Sequence, residues 1–364
     1  MSRIKANRMD LTFERYQAEF EQKALDVLRS GWYILGHELE SFEDKWASYI
    51  GSKYCIGLAS GLDALWISFK ILGIGSGDEV IVCSNAYIAC VMGITMNGGT
   101  PVFVEPDRYD NIDADKIEEK ITGKTKAILA VHLYGQCCDM DKILKIARIH
   151  KLRVVEDCAQ SHGNHWKNKK AGTYGDIGCF SFYPSKGCGA FGDGGAVVTD
   201  NAELADKFRI FRNYGSEKRY HNMIVGANSR LDEIQAGLLS VKLSHLDKLN
   251  AERVRIAGRY SKEIDNPCVK LPEVRPGADS SWHQYVIHCE RRDELKDYLA
   301  KHDIDTLIHY PIPPHLQEAY RYLGYKKGDF PIAEKYADEV LSLPMYNGMT
   351  DEDQQTVIEA INRF

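Results

Sequence analysis

The sequence predicts an α/β protein: a mainly parallel central sheet with helices on both faces, followed by a smaller C-terminal α+β unit. Three observations carry this. Short apolar runs such as VIVC (80 to 83) and AILAV (127 to 131) lack polar alternation, which marks strands covered on both sides. From residue 54 such runs alternate with helical patterns, the signature of crossover units and parallel pairing. Pro267, Pro272, Pro276 and Gly277 then interrupt the chain, and a second group of elements begins.

Taken in order, residues 13 to 30 read as a helix closed by Gly31. The apolar GWYILG follows, and Leu39, Phe42, Trp46, Tyr49 and Ile50 then recur at helical spacing. Strand 54 to 60 leads into helix 62 to 72, whose Leu62, Leu65, Phe69 and Leu72 share a face. Strand 78 to 84 leads into a helix near 87 to 96, and strand 100 to 105 into the helix DADKIEEKI. Strand 126 to 133 leads into the helix MDKILKIARIHK. Strands 153 to 158, Cys179 to Tyr183 and Ala196 to Thr199 complete the sheet.

Residues 231 to 265 are helical in pattern and link two domains, 1–245 and 246–364. The second is expected to hold a strand from Trp282 to Cys289, a helix from Arg292 to His302, a strand from Thr306 to Tyr310 and two further helices. The last helix has Thr350 as N-cap with Asp353 three residues on. Its Val357, Ile358, Ile361 and Phe364 form one face.

Composition narrows the function. The 364 residues are 44% hydrophobic and 27% charged, ordinary for a soluble globular protein. A net charge of −6 argues against nucleic-acid binding. No apolar run approaches the ~20 residues of a membrane span, and the opening MSRIKANRMDLTFERY has no apolar core, so no signal peptide is expected. Most of the ten cysteines lie in or beside strand-like runs and read as small buried hydrophobes. There is no CxxC, and free thiols in such number suit a reducing cytoplasm.

Four strand ends carry chemistry. Ser60-Gly61-Leu62-Asp63 is a strand-to-helix turn, whose free N–H groups suit a phosphate. Tyr87, just beyond VIVCS, can stack on a flat ligand. Strand RVV ends in Glu156 and Asp157, and a buried carboxylate facing a pyridine nitrogen would keep it protonated and the ring electron-poor. Gln160 and His162 are expected to extend into the same cleft. Tyr183-Pro184-Ser185-Lys186 ends a strand, since Pro184 forces it to stop. A lysine on so short a support can be desolvated and aimed, as a Schiff-base lysine must be. Ser181 can offer its hydroxyl to the phosphate held at Ser60. His162 and His165 form an HxxH pair, but no further ligand spacing supports a metal. Gly73 to Gly77 follows a helix and precedes a strand, the reverse of a dinucleotide loop.

These parts, in this order, are what pyridoxal 5′-phosphate needs. With them the chain resembles the DegT/DnrJ/EryC1/StrS family of sugar-nucleotide aminotransferases. The resemblance rests on SGLDAL (60 to 65), GDEVIVCSNAYIA (77 to 89), GGTPVFVEPD (98 to 107), TKAILAVHLYGQ (125 to 136), VVEDCAQSHG (154 to 163), GDIGCFSFYPSK (175 to 186), GDGGAVVT (192 to 199) and NSRLDEIQAG (228 to 237). It implies a fold-type I aminotransferase acting as a homodimer with shared active sites. Lys186 would hold the cofactor covalently and move a proton, Asp157 would partner the pyridine nitrogen, and Gln160 would neighbour the ring. Ser181 and Ser60-Gly61-Leu62 would hold the phosphate, Tyr87 would stack, and Asn228 would reach in from the other subunit. Leu62 stands where many members have Thr, and Cys188-Gly189 replaces a more usual Leu-Gly. The presence of Lys186 excludes the lysine-lacking dehydratase branch.

Asn85 to Ala89, Val104 to Asp107 and Ile308 to Pro311 look more like members that aminate dTDP-3-keto-6-deoxyhexoses. Members acting at C4, the alternative, usually have Phe near the Tyr87 position. A non-catalytic cofactor-binding regulator is the rival from another class. The resemblance implies glutamate as amino donor. Tyr183, His309 and Tyr310 are the expected sugar contacts, and Lys218, Arg219 and Tyr220, in a basic loop, are placed to meet the diphosphate.

Overall fold

The structure is a computed structural model that describes residues 3–364. Its centre is a seven-stranded sheet built from β1 (Tyr54–Leu58), β2 (Glu79–Cys83), β3 (Thr100–Val104), β4 (Thr125–Val131), β5 (Arg153–Asp157), β6 (Ile177–Ser181) and β7 (Gly195–Thr199). The order across the sheet is β1-β7-β6-β5-β4-β2-β3. Neighbours from β3 to β6 pair in parallel, and β7 runs antiparallel to both β1 and β6. The expected mainly parallel sheet is therefore present. The carboxyl ends of β1, β2, β5 and β6 share one edge, where parallel α/β sheets bind their ligands.

The apolar runs behave as their composition demands. Isoleucines and valines of β2 and β4 are buried, as helices over the sheet require. A block of aromatic rings packs beside β6: Trp46 lies edge-on to Phe180 and Phe182, with ring centroids 5.2 and 5.0 Å away. Trp46, Phe42, Phe180 and Phe182 are all fully buried, and such burial stabilises by about 1.5–3 kcal/mol per side chain. The segment leading to Lys186 thus rises from a fully buried aromatic part of the core.

A second apolar cluster gathers Tyr260, Tyr285, Leu295, Leu299, Val357 and Ile361. It surrounds the antiparallel pair β8 (Tyr285–His288) and β9 (Val340–Leu343). Ile4 joins it, pinned by Ile4 N to Asp303 O at 2.8 Å and Asp305 N to Ile4 O at 2.9 Å. Thr350 caps the last helix, Asp351–Arg363, by accepting from Asp353 N at 3.0 Å, as its sequence predicts.

Several expected elements differ. The helix over 13 to 30 is two, Asp10–Arg15 and Gln17–Ser30, because Tyr16 leaves helical dihedrals (φ −122°); Gly31 does close the second, at φ +68°. DADKIEEKI forms two 3₁₀ turns, Ala114–Lys116 and Glu118–Lys120. The linking helix breaks at His245 into Glu233–Ser244 and Leu246–Glu263. The expected strand at Thr306 to Tyr310 reduces to one bridge, Leu307 with Ser342. β8 pairs instead with β9, which follows the helix Pro331–Glu339 without a glycine to announce it. Nine cysteines are buried and only Cys268 is exposed. No helix among the described residues is long and apolar enough to cross a membrane.

Candidate active site

A cleft of about 450 Å³ opens at the carboxyl edge of the sheet. Ser60, Gly61, Leu62, Tyr87, Asp157, Ser181, Tyr183, Lys186, His309 and Tyr310 all line it, as the sequence led one to expect. Ser60 caps the helix Gly61–Ile71 by accepting from Asp63 N at 3.1 Å. Gly61 lies so close to β6 that a Cβ there would fall 2.4 Å from Ser181 Cβ. A Cβ at Gly195 would fall 2.2 Å from Ser60 O. Glycine at both positions draws the helix N-terminus, Ser60 and Ser181 into one cradle.

Glu156 and Asp157, adjacent on β5, point to opposite faces as strand geometry requires. Asp157 reaches the cleft with both oxygens engaged: Oδ1 accepts from Ala159 N at 2.9 Å and Oδ2 from the Cys90 thiol at 3.0 Å. Donors on both oxygens fit an ionised carboxylate. Glu156 is fully buried on the other side. It accepts from Tyr174 N and Gly175 N at 2.7 Å, and from Gly172 N and His132 Nε2 at 2.9 Å. It braces the loop ahead of β6 and has no access to the cleft.

Lys186 sits in a tight turn, its N–H donating to Tyr183 O at 2.8 Å. Its amine makes no hydrogen bond or ion pair among the described residues. Burial lowers its pKa, while the charges of Asp157 and Cys90 act in the opposite sense. The result is a desolvated amine kept free beside a carboxylate.

Tyr87 is 47% exposed at the N-cap of the helix Ile88–Thr95. Its ring lies 5.0 Å from that of Tyr310, tilted by 35°. Tyr310 accepts from Gln160 Nε2 at 3.1 Å, and Gln160 Oε1 accepts from Tyr134 N at 2.7 Å. Gln160 therefore stands behind the cleft wall and positions Tyr310. His162, expected in the cleft, is buried among Trp46, Phe180 and Phe182. Its Nδ1 accepts from Cys188 N at 3.0 Å, which supports the backbone just after Lys186.

The two histidines of the HxxH pair do not converge. His162 points inward while His165 pairs with Asp279 at the surface, Nδ1 to Oδ2 2.8 Å. His132, Glu156 and Cys158 cluster within 4.8 Å. Both ring nitrogens of His132 are used, by Cys138 N and Glu156, and both Glu156 oxygens are taken.

Asn228 lies outside the cleft, bridging to Asn213. Lys218, Arg219 and Tyr220 occupy an exposed hairpin, Ser216–Lys218 with His221–Asn222, also away from that cleft. Tyr220 is 87% exposed, with Arg219 stacked 5.0 Å above its ring. His283, Gln284 and Asp193 line the cleft but were not foreseen. The adjacent polar pair His283-Gln284, which no alternating strand face explains, was the available signal.

The model of the DegT/DnrJ/EryC1/StrS aminotransferase family matches residues 14–362. The chain belongs to that family. This aminotransferase is 53% identical over 351 residues to the dTDP-3-amino-3,6-dideoxy-α-D-galactopyranose transaminase of Aneurinibacillus thermoaerophilus, covering 96% of each chain. Its fold matches the crystal structure of S. venezuelae DesV in complex with a ketimine intermediate, with a TM-score of 0.98, 42% identity, and 100% and 98% of the two chains covered. It also matches NtdA from Bacillus subtilis with bound cofactor PMP, with a TM-score of 0.89, 34% identity, and 96% and 82% covered.

Proposed function

We propose that this aminotransferase carries pyridoxal 5′-phosphate and moves an amino group from glutamate to C3 of a dTDP-linked 3-keto-6-deoxyhexose. The observation that carries the reading is the Lys186 amine, desolvated, unpartnered and beside Asp157 in a cleft with an anion cradle. The relative from Aneurinibacillus, named for a 3-amino sugar, supports C3 over C4.

The cleft residues fit the cofactor. Ser60, Gly61, Leu62 and Ser181 would hold its phosphate, in the space that glycine at 61 leaves open. Asp157 would meet the pyridine nitrogen, Tyr87 would lie against the ring, and Gln160 would act through Tyr310. Lys186 would hold the cofactor covalently. Bound there, the cofactor supplies an electron sink that acidifies the Cα–H of the donor. The chain supplies the rest. Once the donor's amine has displaced it from the cofactor, Lys186 Nζ, neutral more often than an exposed lysine, would take the proton from the donor Cα as general base. Asp157, fixed by Ala159 and Cys90, holds its charge in place without rearranging. Tyr183, His309 and Tyr310 line the side open to the sugar.

The protein acts in the cytoplasm as a homodimer in which Asn228 and the hairpin Lys218-Arg219-Tyr220 serve the partner's cleft. Trp32, Tyr220 and Val225, exposed by 63, 87 and 94%, support a covering surface. The boundary near residue 245 separates the cofactor-binding unit from the unit around β8 and β9. Product analysis with a panel of dTDP-keto sugars tests the reading. Amination at C3 is expected; amination at C4, or no amination of any keto sugar, overturns it.

A further inference from the structure

A chamber of about 100 Å³ lies behind the catalytic cleft. It shares four wall residues with the cleft: Ser185, His283, Gln284 and His309. The N-terminal segment forms part of its wall, fixed where Met345 N donates to Ala6 O at 3.3 Å, which puts Asn7 on that wall. The volume is about three times water's share of the liquid, enough for a carboxylate or a few waters.

Its polar lining is unfinished. His283 Nδ1 is buried without a partner and can donate to an anion when it carries the ring proton; Gln284 Oε1, also unpartnered, is an acceptor and contributes nothing to an anion. Asn7 Oδ1 accepts from Arg8 N at 2.9 Å, and its amide nitrogen has no partner among the described residues. Behind His283 lies Arg253, 6% exposed, whose guanidinium donates to the carbonyls of Trp282, His283 and Met345 and to Asn347 Oδ1. None of these acceptors is charged, and no carboxylate pairs with Arg253 among the described residues. Burial draws Arg253 down to about 10, so it remains a cation at neutral pH. A buried charge is costly; the nearby charge of Glu252 offsets part of that cost for Arg253, and an anion in the adjoining space would offset more.

Building on the reading above, we propose that this chamber binds a carboxylate of the amino-acid donor, through His283 and Asn7 with Arg253 behind them. The sugar nucleotide enters from the open side of the cleft and does not need it.

The test uses the holoenzyme and splits the reaction. Asn7→Asp changes little shape and sets a like charge against the donor; His283→Gln is a second, uncharged variant. The donor half-reaction, followed by the cofactor spectrum with glutamate, glutamine and alanine, should lose about tenfold to a hundredfold in kcat/KM, as expected for a hydrogen bond to a charged group. The acceptor half-reaction of Asn7→Asp should stay within a few-fold. A loss confined to glutamate assigns the side-chain carboxylate; an equal loss with all three assigns the α-carboxylate. Calorimetric titration with glutarate, an unreactive dicarboxylate, should weaken by a similar factor. Unchanged glutarate binding, or equal losses in both half-reactions, overturns the proposal. If the wild-type chain transfers no amino group, the functional reading falls, and the glutarate titration still decides the chamber.

Discussion

Exchanging each of the neighbouring acids of β5 for its amide should separate two roles. In Glu156→Gln the side chain keeps its shape but has only one acceptor atom. One oxygen now serves Tyr174 N and Gly175 N, the other Gly172 N and His132 Nε2. Either orientation of the amide sets its NH2 against two donors. His132 cannot turn acceptor at Nε2, because its Nδ1 already accepts from Cys138 N at 3.1 Å. Two lost hydrogen bonds to a charged group, at about 1.5–3 kcal/mol each, give about 3–6 kcal/mol. That is a large share of the ~5–15 kcal/mol that holds a domain together. Urea unfolding of the cofactor-free chain, followed by fluorescence, measures it. A loss under about 1 kcal/mol would refute the network. Asp157→Asn should do the reverse: its oxygen still accepts from Ala159 N, so the fold survives, while turnover collapses.

Four further outcomes follow from the geometry. Lys186→Ala should lose at least about a hundredfold in turnover and fail to gain cofactor mass on borohydride reduction, with unchanged circular dichroism; covalent retention in the variant would contradict the assignment. Cys90→Ala removes a donor to Asp157 and should weaken cofactor retention by about 0.5–1.5 kcal/mol, whereas Cys90→Thr, which keeps a donor, should stay near wild type in a spectral titration. Gly61→Ala should crowd Ser181 at a cost of about 1–3 kcal/mol and lower cofactor affinity in the same titration. Burial, then the charge of Lys186, lowers His162 to about 3 and His309 to about 4. Their unfolded counterparts titrate near ~6.5, so the unfolded chain binds the extra proton and stability falls as pH drops from about 6.5 toward 4. Urea midpoints at stepped pH should show His309→Gln to be less acid-sensitive than wild type; equal sensitivity would count against it.

The large sheet was legible because its strands are buried on both faces and need no tertiary knowledge to recognise. The cleft was legible because four strand ends carried polar residues that a buried strand does not need. β9 was hidden by the helix that runs directly into it. His162 was misplaced for a related reason: a histidine near a strand end looks reactive, but three aromatic rings enclose it. The hydrogen bonds of Gln160 to Tyr134 and Tyr310 were not legible, because both partners are remote in sequence. Arg253 and Asn7 carry no local pattern at all; only the folded chain brings them to His283.

The reversed direction of β7 has a consequence for tolerance to change. The chain leaves the sheet at Ser181 and re-enters at Gly195 on the same rim, so the loop bearing Lys186 is hemmed at both ends. Phe191, between them, is tied down as well: its ring packs on Phe20 at 4.9 Å and its N–H donates to Gln235 Oε1 at 2.9 Å. An insertion anywhere in this loop should therefore disturb the amine it carries.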